Sequence, residues 1–412
     1  MGENINRRLF LKGGMAVGCS AAANPLLTTA AFASMPSSNR LVVIILRGGL
    51  DGLDVLRPWG DPDFVSARPT LAAAPAEAQM LSDTHGLHPG LEALLPMWRA
   101  GNLAFVQAVS TPYRNKRSHF DGQDILEAGT PGIPPGLGRD GWLNRMLLGV
   151  KGGGSGTAYA IGSGPMLLSA GKAHFNSWSP EVDIAISAQS FALLKALYRG
   201  DLNLHAALNQ AVDLAASDGD AAVFESADKN MMQAIEQDMA SDRKNTKRGH
   251  VRIAEFAVRQ LVGDARIACL SIDGWDTHSQ QATALNRPMG NLADTLLTLQ
   301  EGLSPEIWTQ TTVLAMTEFG RTVRENGTRG TDHGTGGTML VAGGAVNGGR
   351  VFGRWPGLSE VDLFDRRDLM PTDDVRRWVA WAIRSSFGLS RSFLEHTVFP
   401  DLDLGIDPEV LL

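Results

Sequence analysis

A chain of 412 residues, 43% hydrophobic and 20% charged, has the composition of a globular protein that can bury a large core. Its formal net charge is −7 and it contains no lysine- or arginine-rich run, which argues against nucleic acid as the main partner. Its glycines cluster directly after apolar runs, as at 48–49 and 343–344, where the turns and ligand sites of α/β proteins are found.

Residues 1–33 are predicted to be a twin-arginine export signal. Arg7 and Arg8 precede a small-residue apolar stretch over 13–33, and the Ala-Phe-Ala at its end supplies a small-x-small cleavage site. The stretch is too poor in Leu and Ile to read as a membrane span, so we expect no stable span in the mature chain. We therefore expect the twin-arginine translocation machinery to export the protein to the periplasm or the extracellular space.

The two cysteines agree with that compartment. Cys19 lies in the signal, so only Cys269 would remain after cleavage and no intrachain disulfide could form. Residues 16–19 faintly resemble a lipoprotein cleavage box, so lipid anchoring at Cys19 is the minor alternative.

Strands and helices are predicted to alternate along the mature chain, residues 34–412. Short apolar runs bounded by turn signals predict buried strands at 41–46, 103–109, 158–161, 267–272, 312–316 and 339–342. Helical patterns lie at 90–100, 122–128, 291–300 and 373–387. The alternation predicts a single α/β domain with a doubly wound, mostly parallel sheet and helices on both faces. The helix-rich, charged segment 187–262 is predicted to be a helical insertion or cap.

Polar residues that could do chemistry gather at the predicted strand ends. Asp51 follows the first strand, and the glycines at 48–49 could turn the backbone and aim this carboxylate at the carboxyl edge of the sheet. Asp276 and His278 follow the strand 267–272. A carboxylate and an imidazole two residues apart can reach one ion, and such ligands suit Zn, Mn or Fe.

The next strand end and the loop beyond it offer a second group of candidates. Glu318 and Arg321 follow the strand 312–316, and Asp332 and His333 form another Asp-His pair in a glycine-flanked loop. The guanidinium could clamp an anionic ester or pair with a strand-end carboxylate. Each Asp-His pair also has a structural interpretation, in which the Asp caps a turn and the His makes a hydrogen bond.

Ser118 is the first candidate nucleophile, with Ser110 or Thr111 second. A hydroxyl at a helix N-terminus meets the positive end of the helix dipole, where backbone N–H groups could hold a tetrahedral anion. The alternative is a plain N-cap, supported by Asp121 three residues later. His119 could be a metal ligand, a base or a structural imidazole.

Seven segments and their order resemble the DUF1501 family of exported proteins, within the wider alkaline phosphatase and sulfatase group of metal-dependent hydrolases. They are Arg-Gly-Gly-x-Asp-Gly-Leu at 47–53, Gly-Asp-Pro-Asp at 60–63 with Arg-Pro at 68–69, Leu-His-Pro at 87–89, Arg-Ser-His-Phe-Asp at 117–121, Gly-Trp-Asp-Thr-His at 274–278, Glu-Phe-Gly-Arg-Thr at 318–322 and Asp-His-Gly at 332–334. The resemblance spans nearly the whole mature chain and implies an alkaline phosphatase-like fold.

The resemblance also implies a site with one or two divalent cations (Zn, Mn, Mg or Ca) and a Ser, Thr or modified Cys that attacks a phosphate or sulfate ester. The matching ligands are Asp51, Asp276, His278, Asp332 and His333, with Glu318 as a sixth candidate. The sequence differs from the wider pattern at Phe319, where a phenyl ring would stand in place of an imidazole. No Cys-x-Pro-Ser-Arg element occurs, so a formylglycine mechanism has no residue to use.

Two functions follow from these observations. The first is an exported metal-dependent hydrolase of small-molecule or glycan esters, with Ser118, His119 and Arg321 as catalytic residues. The alternative is a non-catalytic exported binding protein that retains the hydrolase fold, suggested by the missing nucleophile signature and by Phe319. A redox protein is a weaker third possibility, because the chain lacks a Cys cluster, a haem motif and a dinucleotide-binding loop.

Overall fold

The computed structural model describes residues 38–72, 79–114, 117–133, 139–154, 156–180, 198 and 249–412. The predicted export signal lies outside these residues, as does most of the predicted insertion over 187–262. No helix within the described ranges is both long and apolar enough to cross a membrane.

Twelve strands form two sheets in the described chain. In chain order they are β1 (Arg40–Arg47), β2 (Leu56–Arg57), β3 (Gln79–Met80), β4 (Gly86–Leu87), β5 (Leu103–Ser110), β6 (Ala158–Ile161), β7 (Asn176–Trp178), β8 (Ile267–Asp273), β9 (Thr311–Met316), β10 (Gly337–Ala342), β11 (Arg350–Phe352) and β12 (Asp373–Asp374). The main sheet has the order β11-β5-β10-β9-β1-β8-β6-β7, with β12 also paired to β5, and β2, β4 and β3 form a small second sheet.

The central strand β1 is parallel to both its neighbours, β8 and β9. Strand β10 is antiparallel to β9 and β5, whereas the remaining pairs of the main sheet are parallel. The predicted mostly parallel sheet is therefore confirmed. Because β10 runs against the other strands, its first residue, Gly337, pairs with Val109 near the carboxyl end of β5. The loop before β10 thus lies at the edge where the parallel strands end.

The helices cover both faces of this sheet. They are α1 (Gly52–Val55), α2 (Phe64–Ala67), α3 (Leu95–Arg99), α4 (His119–Ala128), α5 (Trp142–Gly149), α6 (Gly249–Val262), α7 (Gln281–Ala284), α8 (Asn286–Gly302), α9 (Pro305–Trp308), α10 (Val375–Phe387) and α11 (Arg391–Phe393). Shorter 3-10 turns span Pro89–Leu94, Leu167–Ser169 and Glu360–Asp362, and a π-helical turn spans Leu394–Val398.

Alternate residues of β1 enter two different hydrophobic cores. Val42, Ile44 and Leu46 pack in one core with residues of α6 and α8, while the intervening residues pack in another with residues of α5 and α10. Every residue from 41 to 46 is completely buried, as expected for a strand covered on both faces. Each such side chain contributes about 1.5–3 kcal/mol through burial. The predicted doubly wound arrangement is confirmed.

All six predicted strands are present, each starting and ending within two residues of the predicted bounds. The predicted helix over 373–387 opens instead as the short strand β12, and the helix follows at Val375. Helix α5 was not predicted, and neither were the strands of two or three residues. The last part of the predicted insertion forms α6, whose Phe256 and Leu261 are buried in the core beside the sheet.

Candidate metal centre

Three imidazoles and one carboxylate converge at the carboxyl edge of the main sheet. One ring nitrogen of His119, one of His333 and a carboxylate oxygen of Asp276 all lie within 4.8 Å of one another. The Nε2 atom of His278 is 3.0 Å from an oxygen of Asp276 and 3.0 Å from Nε2 of His333. These four residues are called the cation cluster below.

His119 enters the cluster from the first turn of α4. Its Nδ1 atom is 2.7 Å from a carboxylate oxygen of Glu318, and its Nε2 atom is 3.4 Å from an oxygen of Asp276. The Nε2 atom is buried and has no hydrogen-bond partner among the described residues. The hydrogen bond that Nδ1 of His119 donates to Glu318 raises the pKa of His119 above its usual value, although burial acts in the opposite direction.

His278 and His333 are oriented in the same way by acceptors behind their rings. Nδ1 of His278 is 2.9 Å from the carboxylate of Asp332, and Nδ1 of His333 is 2.7 Å from the backbone carbonyl of Arg117. The hydrogen bond from His278 lowers the pKa of Asp332, so this acceptor is ionised at neutral pH. Burial lowers the pKa of His333.

The acceptors determine which ring nitrogens carry protons. An acceptor beside each Nδ1 requires a proton there, so each neutral imidazole of the cluster presents an unprotonated Nε2 to the centre. Lone pairs on His278 Nε2 and His333 Nε2, only 3.0 Å apart, repel one another unless a proton or a cation lies between them. Histidine ligands of metals are held in this way, by an acceptor on the other ring nitrogen. The donor set and the unpartnered Nε2 of His119 therefore fit a cation.

Asp276 is fixed from behind by Arg321. Nη2 of this fully buried guanidinium is 2.6 Å from Oδ1 of Asp276 and also donates to the carbonyls of Gly48 and Trp275. Partial burial acts to raise the pKa of Asp276, but Arg321, with His119 and His278, lowers it to about 2. The remaining guanidinium nitrogens donate to further backbone carbonyls. Arg321 is thus occupied in joining loops and orienting Asp276, rather than open to a substrate as the catalytic role required.

Glu318 lies behind the cluster. It is completely buried, and its carboxylate accepts hydrogen bonds from His119, Gln123, the backbone N–H of Gly48 and the hydroxyl of Thr317. Burial acts to raise its pKa, but the hydrogen bonds, first that from His119, lower it. The structure therefore places this sixth ligand candidate behind His119, as the hydrogen-bond acceptor of its Nδ1. Asp332 likewise lies behind His278, where its carboxylate accepts the hydrogen bond from Nδ1.

Asp51 lies apart from the cluster. Its Oδ2 atom is 2.7 Å from Nη1 of Arg68 and 2.6 Å from the amide nitrogen of Gln281, while Oδ1 caps α1 at the N–H of Leu53. The side chain is buried and already balanced by a guanidinium. The structure thus does not bring this ligand candidate to the cation cluster, and the guanidinium of Arg68 supplies the positive charge beside it.

Ser118 is the N-cap of α4. Its Oγ atom accepts a hydrogen bond of 3.4 Å from the N–H of Asp121, and its own N–H donates to the hydroxyl of Tyr113. This is the capping alternative that the sequence left open. The cap also sets the direction of the first helical turn, from which His119 reaches the cluster.

The loop after β1 approaches the cluster closely because it contains Gly48. This residue has a φ of +119°, and a Cβ atom there would lie 2.6 Å from the backbone nitrogen of Asp276. Phe319 is buried beside the histidines, with its ring centroid 5.0 Å from that of His119 and 5.1 Å from that of His333. The phenyl ring thus forms an apolar wall of the cluster, at the position where the wider hydrolase pattern has an imidazole.

Sequence reasoning missed two groups that orient the cluster. Gln123, one helical turn after His119, donates to Glu318 and accepts from Arg47. Its i+4 spacing from His119 was the available signal. The carbonyl of Arg117 gave no such signal, because any residue carries a carbonyl and only the fold brings this one to His333.

Three solved structures resemble the chain over most of its length. Ps i-CgsB in complex with k-i-k-neocarrahexaose has a TM-score of 0.38 and 9% identity, covering 87% of this chain and 75% of that one. Two mutants of TAB5 alkaline phosphatase with Mg bound in the M3 site have TM-scores of 0.33 and 0.32 and identities of 10% and 11%, each covering 77% of this chain and 94% of theirs. Similarity at this level transfers neither a reaction nor a ligand.

No curated protein matches the sequence. A family described as "Protein of unknown function (DUF1501)" matches residues 38–395, which include every member of the cation cluster. The chain belongs to the DUF1501 family.

Proposed function

We propose that the chain binds one divalent cation at His119, Asp276, His278 and His333 and hydrolyses phosphate or sulfate esters. One observation carries the cation site: three Nε2 atoms face one carboxylate while each Nδ1 is engaged by an acceptor. Three neutral rings arranged in this way turn unprotonated nitrogens toward one another and toward a carboxylate, which is costly unless a cation or added protons supply positive charge at the centre.

The spacing of the donors supports a small first-row ion. Ligand atoms around a tetrahedral zinc lie roughly 3.3 Å apart, given metal–nitrogen distances of ~2.0–2.1 Å. The contacts of His278 with His333 and Asp276 are each 3.0 Å, and that of His333 with Asp276 is 3.2 Å. Imidazole nitrogens with one carboxylate oxygen favour Zn or Mn over Mg or Ca, which prefer oxygen ligands.

Ester hydrolysis follows from the chemistry that such an ion supplies: it polarises an ester oxygen and lowers the pKa of a bound hydroxyl group or water. Solvent reaches the cluster on the side of Asp276 and His278, whose side chains are each 46% exposed. A substrate would enter there, and small-molecule or glycan esters are the proposed class. Glu318 keeps the proton on Nδ1 of His119, and Arg321 keeps Asp276 turned toward the histidines.

The attacking group is either the Ser118 hydroxyl or water. Ser118 directly precedes His119 at the N-terminus of a ten-residue helix, where the dipole favours an anion. A phosphoryl- or sulfo-enzyme that accumulates in a rapid-quench experiment and is lost in Ser118→Ala would identify the hydroxyl. Turnover retained in Ser118→Ala would identify water.

Metal content tests the proposal first. The wild type, Asp276→Ala and His333→Ala would be produced through their own export route, and bound metal per chain measured by elemental analysis. The control is His396→Ala, because the Nδ1 of His396 also bonds a backbone carbonyl but the ring has no cluster contact. About one metal per chain in wild type and control, and none in the two cluster variants, is expected. A folded wild type without metal would refute the site.

A panel of phosphate and sulfate esters then tests the reaction. Turnover in the wild type that disappears with Asp276→Ala supports the hydrolase. Bound metal without turnover of any ester would instead favour a binding protein that keeps the fold, for which the phenyl ring of Phe319 beside the cluster is the supporting observation.

Export is part of the proposal, because the paired arginines at 7 and 8 precede a small-residue apolar stretch. Cell fractionation of the wild type and of an Arg7→Lys, Arg8→Lys variant tests this. The wild type is expected outside the cytoplasm and the variant inside. Equal distribution of the two would refute export by this route.

A further inference from the structure

His333 is held by two segments that are remote in sequence. The carbonyl of Arg117 accepts the hydrogen bond from Nδ1 of His333 at 2.7 Å, and Nη1 of Arg367 donates to the backbone carbonyl of His333 at 2.9 Å. Both arginines meet the same carboxylate, that of Asp368, at 3.2 and 2.9 Å. A third donor, the hydroxyl of Thr335, lies 2.8 Å from it.

The segments around Asp368 have strained backbones. Arg117 has a φ of +52°, and Asp365 and Arg366 have φ values of +50° and +54°, although none of them is glycine. The last two occupy the centre of a tight turn closed by the N–H of Arg367 and the carbonyl of Phe364. Left-handed backbone is unfavourable for residues other than glycine and persists only where its surroundings hold it.

The strain at Arg117 directs its carbonyl to His333. In ordinary right-handed or extended backbone the peptide after Arg117 would take another orientation, so the bond to Nδ1 depends on this conformation. The side chain supplies the restraint, because its guanidinium is anchored on Asp368, which is completely buried. Truncation at Asp368 would leave two arginines without their common partner.

We propose that Asp368 is a positioning residue for the cation cluster: through Arg117 it fixes the Nδ1 proton of His333, and through Arg367 it fixes the His333 backbone. This inference rests on the proposed cation site but assigns a role to a carboxylate outside it. Asp368 contacts none of the four cluster side chains, so its effect on a cation would be indirect. Outer partners of this kind change metal affinity about 10–100-fold.

Cobalt binding to the full chain tests the role. Metal-free wild type and Asp368→Asn would be titrated with Co²⁺, following the visible absorption of the bound ion. We expect Asp368→Asn to bind Co²⁺ about 10–100-fold more weakly and with a shifted absorption band. Asp374→Asn is the matched control. Asp374 forms an ion pair with Arg376, with 2.7 Å between Oδ2 and Nη2, and this pair lies outside the cluster. Affinity and spectrum equal to wild type in Asp368→Asn would overturn the inference.

A second readout is independent of metal. The tautomer of His333 in the metal-free chain can be read from the ¹⁵N shifts of its ring, and Asp368→Asn is expected to lose the pure Nδ1–H form. If the wild type binds no Co²⁺, the proposed function fails, while this tautomer result still decides the role of Asp368. Should Asp368→Asn not fold, Arg117→Ala removes the same anchor, and an unchanged tautomer in that variant would overturn the inference.

Discussion

Two groups of charged residues follow β1 and β8, and they are built differently. In the buried ion-pair network, Asp51 is matched by Arg68 and Asp54 by Arg57, at 2.7 and 2.6 Å, with Gln281 bonded to both carboxylates. All of these side chains are almost completely buried. The network carries its own counter-charges, so it needs no ligand.

The cation cluster has a different composition and a different balance of charge. Three imidazoles face one carboxylate, and Nε2 of His119 is buried without a hydrogen-bond partner among the described residues. Asp276 has a guanidinium beside it, yet its oxygens also face His119, His278 and His333. The two strand-end carboxylates thus differ in what else they face: Asp51 faces a guanidinium and an amide, whereas Asp276 faces a guanidinium and three imidazoles.

The largest expected effect is a loss of folding stability when a carboxylate of the ion-pair network is removed. Asp51→Ala leaves Arg68 buried and unpaired and removes the cap of α1, so the free energy of unfolding should fall by about 3–5 kcal/mol. Metal per folded chain should be unchanged. Urea titration and elemental analysis measure the two quantities on the same preparation.

The double variant Asp51→Asn, Arg68→Met is the control for that prediction. It removes both charges of the pair together, and much of the lost stability should return. A loss of metal in folded Asp51→Ala would contradict the separation, because it would make Asp51 part of the cation site.

The elements of the sheet were predictable because their signals are local. β1 is an unbroken apolar run, and a strand buried on both faces reads this way in any sequence. Strands of two residues, such as β2 and β12, are too short to show a period. Gathering of polar residues at strand ends was also predictable, since parallel strands end at one edge.

The division between the two groups was not predictable. Asp51 and Asp276 both follow apolar strands and glycines. The neighbouring residues in the sequence do not indicate which of the two carboxylates pairs with an arginine without also facing histidines. Arg68 lies 17 residues beyond Asp51, and only the folded chain shows that its guanidinium reaches that carboxylate. The Arg117 carbonyl behind His333 depends in the same way on tertiary structure.

A ligand variant tests the cluster directly. His333→Ala removes one nitrogen from the centre, and the affinity for Zn²⁺ should fall more than about 100-fold, which exceeds the effect expected for an outer partner. Stability of the metal-free chain should change much less than in Asp51→Ala, since one of the repelling nitrogens is removed. Competition with a chelator measures the affinity. An unchanged Kd would exclude His333 as a ligand.

Glu318→Gln should lower the affinity for Zn²⁺ less than His333→Ala does. Glutamine retains the shape and an acceptor for Nδ1 of His119 but removes the negative charge, so Zn²⁺ should bind about 10-fold more weakly. Glu325→Gln is a suitable control, because among the described residues the Glu325 carboxylate accepts only from the backbone N–H groups of Thr70 and Leu71. Complete loss of metal in Glu318→Gln would instead indicate that Glu318 is itself a ligand.

The smallest expected effect is on the acid stability of the metal-free chain. The pKa of Asp276 is lowered from 3.8 to about 2, so its ionised form contributes stability above pH 4 that is lost as the pH falls toward 2. Because the side chain is 46% exposed, solvent screening limits the contribution to below about 1 kcal/mol. Asp276→Asn lacks this titration.

Urea titrations in EDTA at several pH values between 5 and 2 compare the two chains. The difference in unfolding free energy between wild type and Asp276→Asn should shrink as the pH falls, because the wild-type carboxylate becomes neutral. If the difference in unfolding free energy between the two chains stays constant to pH 2, Arg321 does not stabilise the ionised carboxylate. The description of Asp276 as a carboxylate held ionised by a guanidinium would then be wrong.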